Sequence, residues 1–286
     1  MRHPINIYIL AITLLVLPPS SSWAEEKSAG FEIAIAPFLP VKTLVQNYAP
    51  LRDYLQNRLH QPVTIISATD YKTYYKHIEK REYAIIITTA SSAYLAWTES
   101  GYIPLLRPVI NTSPVLVIRK DHPDLQLNDL RGKALAMSDA TAIVSMQGEQ
   151  ILREAGLKPG HDVTIKNMQN HAVAVNHVIA GEVAAAIVSD RAIQQMPASI
   201  RDKIKIIYTW DKIAAPGIVY LGSPNLPREK LEQIKIAILE FAQQSTEGIK
   251  LMNNMGYGGL VPVGGDELRL LQPYGVLLKK AIASEP

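Results

Sequence analysis

Three short stretches carry side chains that could hold a small ligand. Thr88-Thr89-Ala90-Ser91-Ser92 and Ser138-Asp139-Ala140-Thr141 each end an apolar run and open a segment of helical spacing, and Asn170-His171 opens a third. Hydroxyls and first-turn amides at such a start donate to an anion or to a neutral polar group, and the positive end of the helix dipole adds to them. Ordinary N-capping explains any one of these junctions. Three of them at the carboxyl ends of strands, where α/β sheets present ligands, point to a cleft. None supplies a reaction. The chain has no G-x-S-x-G elbow, no H-E-x-x-H, no phosphate-binding P-loop and no G-x-G-x-x-G after a strand. Gly256-Tyr257-Gly258-Gly259 follows a helical segment and reads as a turn. His171 and His177 are six apart, about 120° around a helix, a poor pair for one metal ion. The absence of cysteine excludes a thiolate metal site, a cysteine nucleophile and a disulfide scaffold. No catalytic residue, metal or cofactor is expected, and the chain reads as a binder and not an enzyme.

The elements that must position these junctions alternate. Phe31 to Ala36 reads as a strand, followed by helical spacing over Val41 to Leu59 with a kink or restart at Pro50. Val63 to Ile66 is a strand, Tyr71 to Lys80 a helix, and Tyr83 to Ile87 a nearly continuous apolar strand. Ile103 to Val109 and Pro114 to Arg119 are extended and are separated by Asn111-Thr112-Ser113. A second series follows, with strands at Ala134 to Met137, Val163 to Lys166, Ala184 to Ser189 and Ile204 to Tyr208. Its helices run from Thr141 to Ala155 and from Ala172 to Ala180. Ala215-Pro216-Gly217 then leads into a strand, Ile218 to Leu221, and helical segments cover Pro227 to Met255 and Asp266 to Ala283. Continuous apolar strands between helices predict parallel sheets covered on both faces. The plan is two α/β lobes, with the chain crossing near residues 111–114 and again near 210–216. Two crossings permit a hinge, with a ligand cleft between the lobes.

Composition fits this plan. Of 286 residues, 48% are hydrophobic and 19% charged, with a net charge of +3, enough apolar material for two cores and no basic run that would suggest nucleic acid. Part of the apolar excess lies in residues 1–24. Arg2 and His3 precede an apolar run from Ile5 to Leu17, and Ser22-Trp23-Ala24 ends on small residues, the pattern of a cleavable signal peptide. The run is too short to span a bilayer, and no cysteine follows the cleavage site to be lipidated, so a free periplasmic protein is expected.

The order and spacing of several stretches resemble the periplasmic phosphate/phosphite/phosphonate-binding protein family, the substrate-binding components of certain ABC importers. These are Pro50-Leu-Arg-Asp-Tyr-Leu-Gln-Asn-Arg-Leu59, Gln61-Pro-Val63, Ala68-Thr-Asp-Tyr71 and Ala90-Ser-Ser-Ala-Tyr94. Further on come Asp129-Leu-Arg-Gly-Lys133, His171 with Ala180-Gly-Glu-Val183, and Gly256-Tyr-Gly-Gly-Leu-Val-Pro262. The resemblance, from Phe31 to about Ala283, implies a type II periplasmic-binding-protein fold with two hinge crossovers. Lobe one would hold residues 31–112 with 216–286, and lobe two residues 113–211.

The resemblance also implies a pocket that this sequence changes. The family's hydroxyl run at the start of the second-lobe helix falls on Ala142-Ile143-Val144, its tyrosine after the third strand near Thr88, and an acidic residue near Pro216, while His171 lines up unchanged. A buried oxyanion short of donors costs about 1–3 kcal/mol per missing partner. The expectation is therefore a small-molecule ligand of neutral or lipophilic type, with a phosphorus oxyanion as the alternative. Thr88, Thr89, Ser91 and Ser92 would hold it from one side, and Ser138, Asp139, Thr141 and His171 from the other. Phe38, Leu39, Ile143 and Pro216 would line the apolar part. A monomer is expected, partnered by an inner-membrane transporter permease or by a sensory receptor.

Overall fold

Short runs of mostly apolar residues form the strands, and apolar residues at helical spacing form the helices between them, in the computed structural model, which describes residues 30–284. The signal peptide expected over residues 1–24 lies outside the described residues. The first stretch of chain forms β1 (Phe31–Ile35), α1 (Val41–Leu59), β2 (Val63–Ser67), α2 (Tyr71–Glu79), β3 (Ile85–Thr89), α3 (Ala90–Thr98) and β4 (Ile103–Pro108). The chain then crosses and builds β5 (Pro114–Arg119), β6 (Ala134–Met137), α4 (Ile143–Glu154), β7 (Thr164–Asn167), α5 (His171–Ile179) and β8 (Ala185–Ser189). The short helices α6 (Asp190–Gln194) and α7 (Ala198–Arg201) and strand β9 (Ile204–Thr209) complete this part. It returns through β10 (Ile218–Gly222), α8 (Arg228–Gln244), α9 (Thr246–Met255), β11 (Leu260–Pro262), α10 (Gly265–Arg269) and α11 (Gln272–Ser284).

Two sheets result, one in each lobe. The first has the order β11-β4-β10-β3-β1-β2 and the second β7-β6-β8-β5-β9. Both are mixed and not parallel as the sequence predicts. β1 is parallel to β2 and β3, but β10 runs antiparallel to β3 and to β4. β5 likewise runs antiparallel to β8 and β9. The apolar pattern reports burial on both faces, which a central antiparallel strand shares with a parallel one. β3, β8 and β10 are buried at every residue. Each fully buried isoleucine of β3 contributes about 2–3 kcal/mol by leaving water, and truncating Ile86 to alanine costs about 2–5 kcal/mol once the cavity is counted.

Two helical details also differ from expectation. α1 runs through Pro50 without a break. The segment from Pro227 to Met255 is two helices, because Ser245 adopts extended backbone and its hydroxyl caps α9 by accepting from the Gly248 amide at 2.9 Å. Among the described residues no helix is long and apolar enough to cross a membrane.

The two crossings lie side by side. Thr112 and Ala215 form an antiparallel bridge, with N–H···O distances of 2.9 and 3.1 Å between their backbones. Gly217 packs there so closely that a Cβ would sit 2.9 Å from Thr112 Cγ2.

Candidate functional site

A cavity of about 520 Å³, counting its mouth, lies between the lobes. Three helices begin at its wall. Thr89, the last residue of β3, is the N-cap of α3; Ala142 is the N-cap of α4; His171 is the first residue of α5, behind the cap Asn170. Asn170 Oδ1 accepts from the Val173 amide at 3.1 Å, so α5 is capped by its own side chain. α4 has no side-chain cap, and Ala142, Ile143 and Val144 all line the cavity. The positive end of the α4 dipole therefore lies at the wall without a protein carboxylate or hydroxyl bonded to it.

His171 is buried, its Nδ1 has no hydrogen-bond partner, and burial pulls its pKa down to about 4. At neutral pH the ring is uncharged and offers one donor and one acceptor. Tyr71, the first residue of α2, is placed by its N-cap Asp70, whose Oδ1 accepts from the Thr73 amide at 2.6 Å. The Tyr71 hydroxyl is buried without a partner, and burial holds its pKa well above the ordinary range. Phe38, in the turn after β1, lines the cavity and accepts from the His171 amide at 3.4 Å.

The crossings supply further lining of the cavity. Pro108, Ile110 and Thr112 reach it from the first crossing, and Gly217 and Ile218 from the second. Ser189, Arg191, Ala192 and Gln195 come from the end of β8 and from α6 and its C-terminus, and Tyr257 from the turn after α9. Gln195 Nε2 donates to the Tyr257 hydroxyl at 3.3 Å, which pairs with the Tyr48 hydroxyl at 3.0 Å, while Gln195 Oε1 is buried without a partner. Burial pushes the Tyr257 pKa up to about 12, so this hydroxyl stays protonated.

Of the residues expected to hold the ligand or line its apolar part, Phe38, Thr89, Ile143 and His171 line the cavity. The others do not reach its lining. Leu39 and Thr88 are in the core. Ser91 and Ser92 bond to Thr89 Oγ1 at 3.3 and 3.2 Å, and Ser138 pairs with Ser145 at 3.0 Å. Asp139 and Thr141 satisfy each other, Oδ1 accepting from the Thr141 amide at 2.8 Å and hydroxyl at 2.5 Å, beside an adjoining recess that holds Lys72 and Lys76. Pro216 is half-buried, and its neighbour Gly217 takes the cavity position. Tyr71, Arg191, Gln195 and Tyr257 were missed by the sequence reading. Ser189-Asp190-Arg191 carries the same strand-to-helix signal as the three junctions chosen and could have been found by it.

Hydrogen bonds close the cavity's rim. Ser91 Oγ donates to Thr141 O at 3.3 Å, Gln169 Nε2 to Thr69 O at 2.6 Å, Gln194 Nε2 to Asn253 O at 3.2 Å and Gln147 Nε2 to the Tyr274 hydroxyl at 3.2 Å. Each joins the two lobes, so the arrangement is a closed one.

The fold has close counterparts. A binding-protein component of a phosphonate ABC transporter from Pseudomonas aeruginosa superposes with a TM-score of 0.75 at 14% identity, covering 90% of each chain. PhnD1 from Prochlorococcus marinus, in complex with methylphosphonate, gives a TM-score of 0.75 at 11% identity, covering 88% of this chain and 98% of its own. The periplasmic aliphatic sulphonate-binding protein of Escherichia coli gives 0.61 at 13% identity, covering 90% and 94%. No curated protein sequence matches the chain significantly. At these identities the structures speak for the type II periplasmic-binding-protein fold. The family model for the periplasmic substrate-binding protein of phosphonate ABC transporters matches residues 33–268. With that match over most of its length, on a fold of two lobes closed about a cavity, the chain belongs to the phosphonate-binding family of ABC-transporter substrate-binding proteins.

Proposed function

We propose that this chain captures a small phosphonate-type oxyanion between lobe one (residues 31–112 with 216–286) and lobe two (residues 113–211) and delivers it to a membrane permease. The observation that carries the reading is the meeting of three helix N-termini with the unpartnered Tyr71 hydroxyl and the unpartnered His171 ring on one cavity. Groups of this kind satisfy an anion, and the partner of a buried donor is worth about 1–3 kcal/mol. Phe38, Ile143 and Val144 supply an apolar wall that fits the carbon substituent of a phosphonate, where the sequence alone suggested a wholly neutral or lipophilic ligand. The membership of the family favours the oxyanion of the two.

Isothermal titration tests this with methylphosphonate, phosphite, phosphate and a lipid extract. Methylphosphonate should bind, and His171→Ala should weaken it by about 10- to 100-fold, the equivalent of one lost buried hydrogen bond. Binding of a component of the lipid extract with no heat from any oxyanion would overturn the reading.

A further inference from the structure

The cavity also has polar lining at the crossings. Arg191 is the one charged side chain on its lining, and it stands at the first crossing, where its Nε donates to Asn111 O; the lining also carries the apolar Ile110, Val144 and Ile218. A guanidinium has five N–H donors. Two are used in hydrogen bonds, Nε to Asn111 O at 3.3 Å and Nη1 to Gln194 Oε1 at 3.2 Å, and Nη2 lies 3.3 Å from Asp190 Oδ2 as an ion pair. One N–H on each terminal nitrogen is left without a protein acceptor among the described residues.

The neighbouring carboxylate does not take up that capacity. Asp190 Oδ1 accepts from Thr112 Oγ1 at 2.8 Å, from the Ser113 amide at 3.0 Å and from the Arg191 amide at 2.7 Å. Asp190 thus serves the crossing strand, and only its other oxygen touches the guanidinium. The space for the guanidinium is kept by Gly256, where a Cβ would lie 2.8 Å from Arg191 Nη1. A half-buried arginine with donor capacity to spare on a cavity that also has apolar lining matches a planar acid group on a short carbon spacer.

We propose that the crossing end of the cavity is a second subsite, in which Arg191 binds a carboxylate-like group at the far end of the ligand's organic substituent. The inference rests on the phosphonate reading above and narrows it to phosphonates whose substituent carries a second negative charge. Arg191 is a specificity-determining residue in this view, and the apolar lining disfavours spacers that carry polar groups of their own.

Titration of the full chain with methylphosphonate, aminomethylphosphonate and phosphonoacetate tests it, on the wild type, Arg191→Met and Arg191→Lys, with thermal melting to confirm that each variant folds. Phosphonoacetate should bind about 10-fold or more tightly than methylphosphonate, and aminomethylphosphonate more weakly than either. Arg191→Met should remove the preference of phosphonoacetate over methylphosphonate, and Arg191→Lys should keep part of it. Should Arg191→Met not fold, Arg191→Lys and the wild-type ranking of the three ligands carry the test. Methylphosphonate binding that equals or exceeds phosphonoacetate binding overturns the subsite and leaves the phosphonate reading standing. Binding of none of the three overturns the phosphonate reading itself, and the subsite falls with it.

Discussion

Lowering the pH should destabilise the ligand-free protein through His171. The ring is buried and holds no carboxylate partner, and its pKa is about 4 in the fold against the ordinary value near 6.5. As pH falls below 6.5 the unfolded chain takes up a proton at this ring and the folded chain does not. The unfolded state then binds more protons, so stability declines with falling pH until the folded pKa is reached, and the loss levels off below it. Integrating between those two values gives about 2 kcal/mol lost from pH 7 to pH 5 and about 3 kcal/mol in all by pH 4. Urea unfolding of the wild type and of His171→Gln at both pH values isolates the effect, since carboxylates elsewhere titrate alike in the two proteins. The wild type should lose about 2 kcal/mol more than His171→Gln between pH 7 and pH 5. A difference under about 0.5 kcal/mol, or one of opposite sign, would refute the claim that this imidazole is kept uncharged by burial.

Three further outcomes follow from close contacts. Gly217→Ala should cost about 1–3 kcal/mol by pressing a Cβ onto Thr112, measured by thermal melting, and adding Thr112→Ser, which removes the Cγ2 methyl, should recover part of it. Gly256→Ala should cost at least about 1 kcal/mol in urea unfolding, because residue 256 has φ of 68° and its Cβ would lie 2.0 Å from Gln194 Oε1. Tyr274→Phe and Gln147→Leu should show a coupling of about 1 kcal/mol in a double-mutant cycle read by urea unfolding, since their bond joins α11 to α4 across the lobes; strictly additive effects would count against that bond.

Much of the architecture was legible because its strands are short, apolar and punctuated. Ile85-Ile86-Ile87 and Ala185-Ala186-Ile187-Val188 leave no other reading at that length, while β7, with Thr164, Lys166 and Asn167 exposed, has the polar pattern of an edge strand. Strand direction was not legible. β10 and β3 have the same composition whichever way they run, and the reversal is decided by where the returning crossing enters the sheet. In the site, Thr89, His171, Ile143 and Phe38 were found from junction position or apolar character. Ser91, Ser92 and Ser138 have the right chemistry, but their hydroxyls are spent on neighbours, which residue type does not reveal. Tyr257 and Gln195 entered the site from a turn and a helix end that become adjacent only when the lobes meet.

The place of β10 in the first sheet governs the order in which the protein can assemble. β3 and β4 are neighbours along the chain, yet they share no hydrogen bonds, because β10 lies between them. A ribosome that has made the first hundred or so residues has therefore released two strands, each with an unfilled edge, and the strand that fills both arrives only after the entire second sheet has been synthesised. The second sheet, built from one uninterrupted stretch of chain, can close first. Completion of the first is a late, long-range event of the kind that folds slowly and leaves strand edges open to other chains in the meantime.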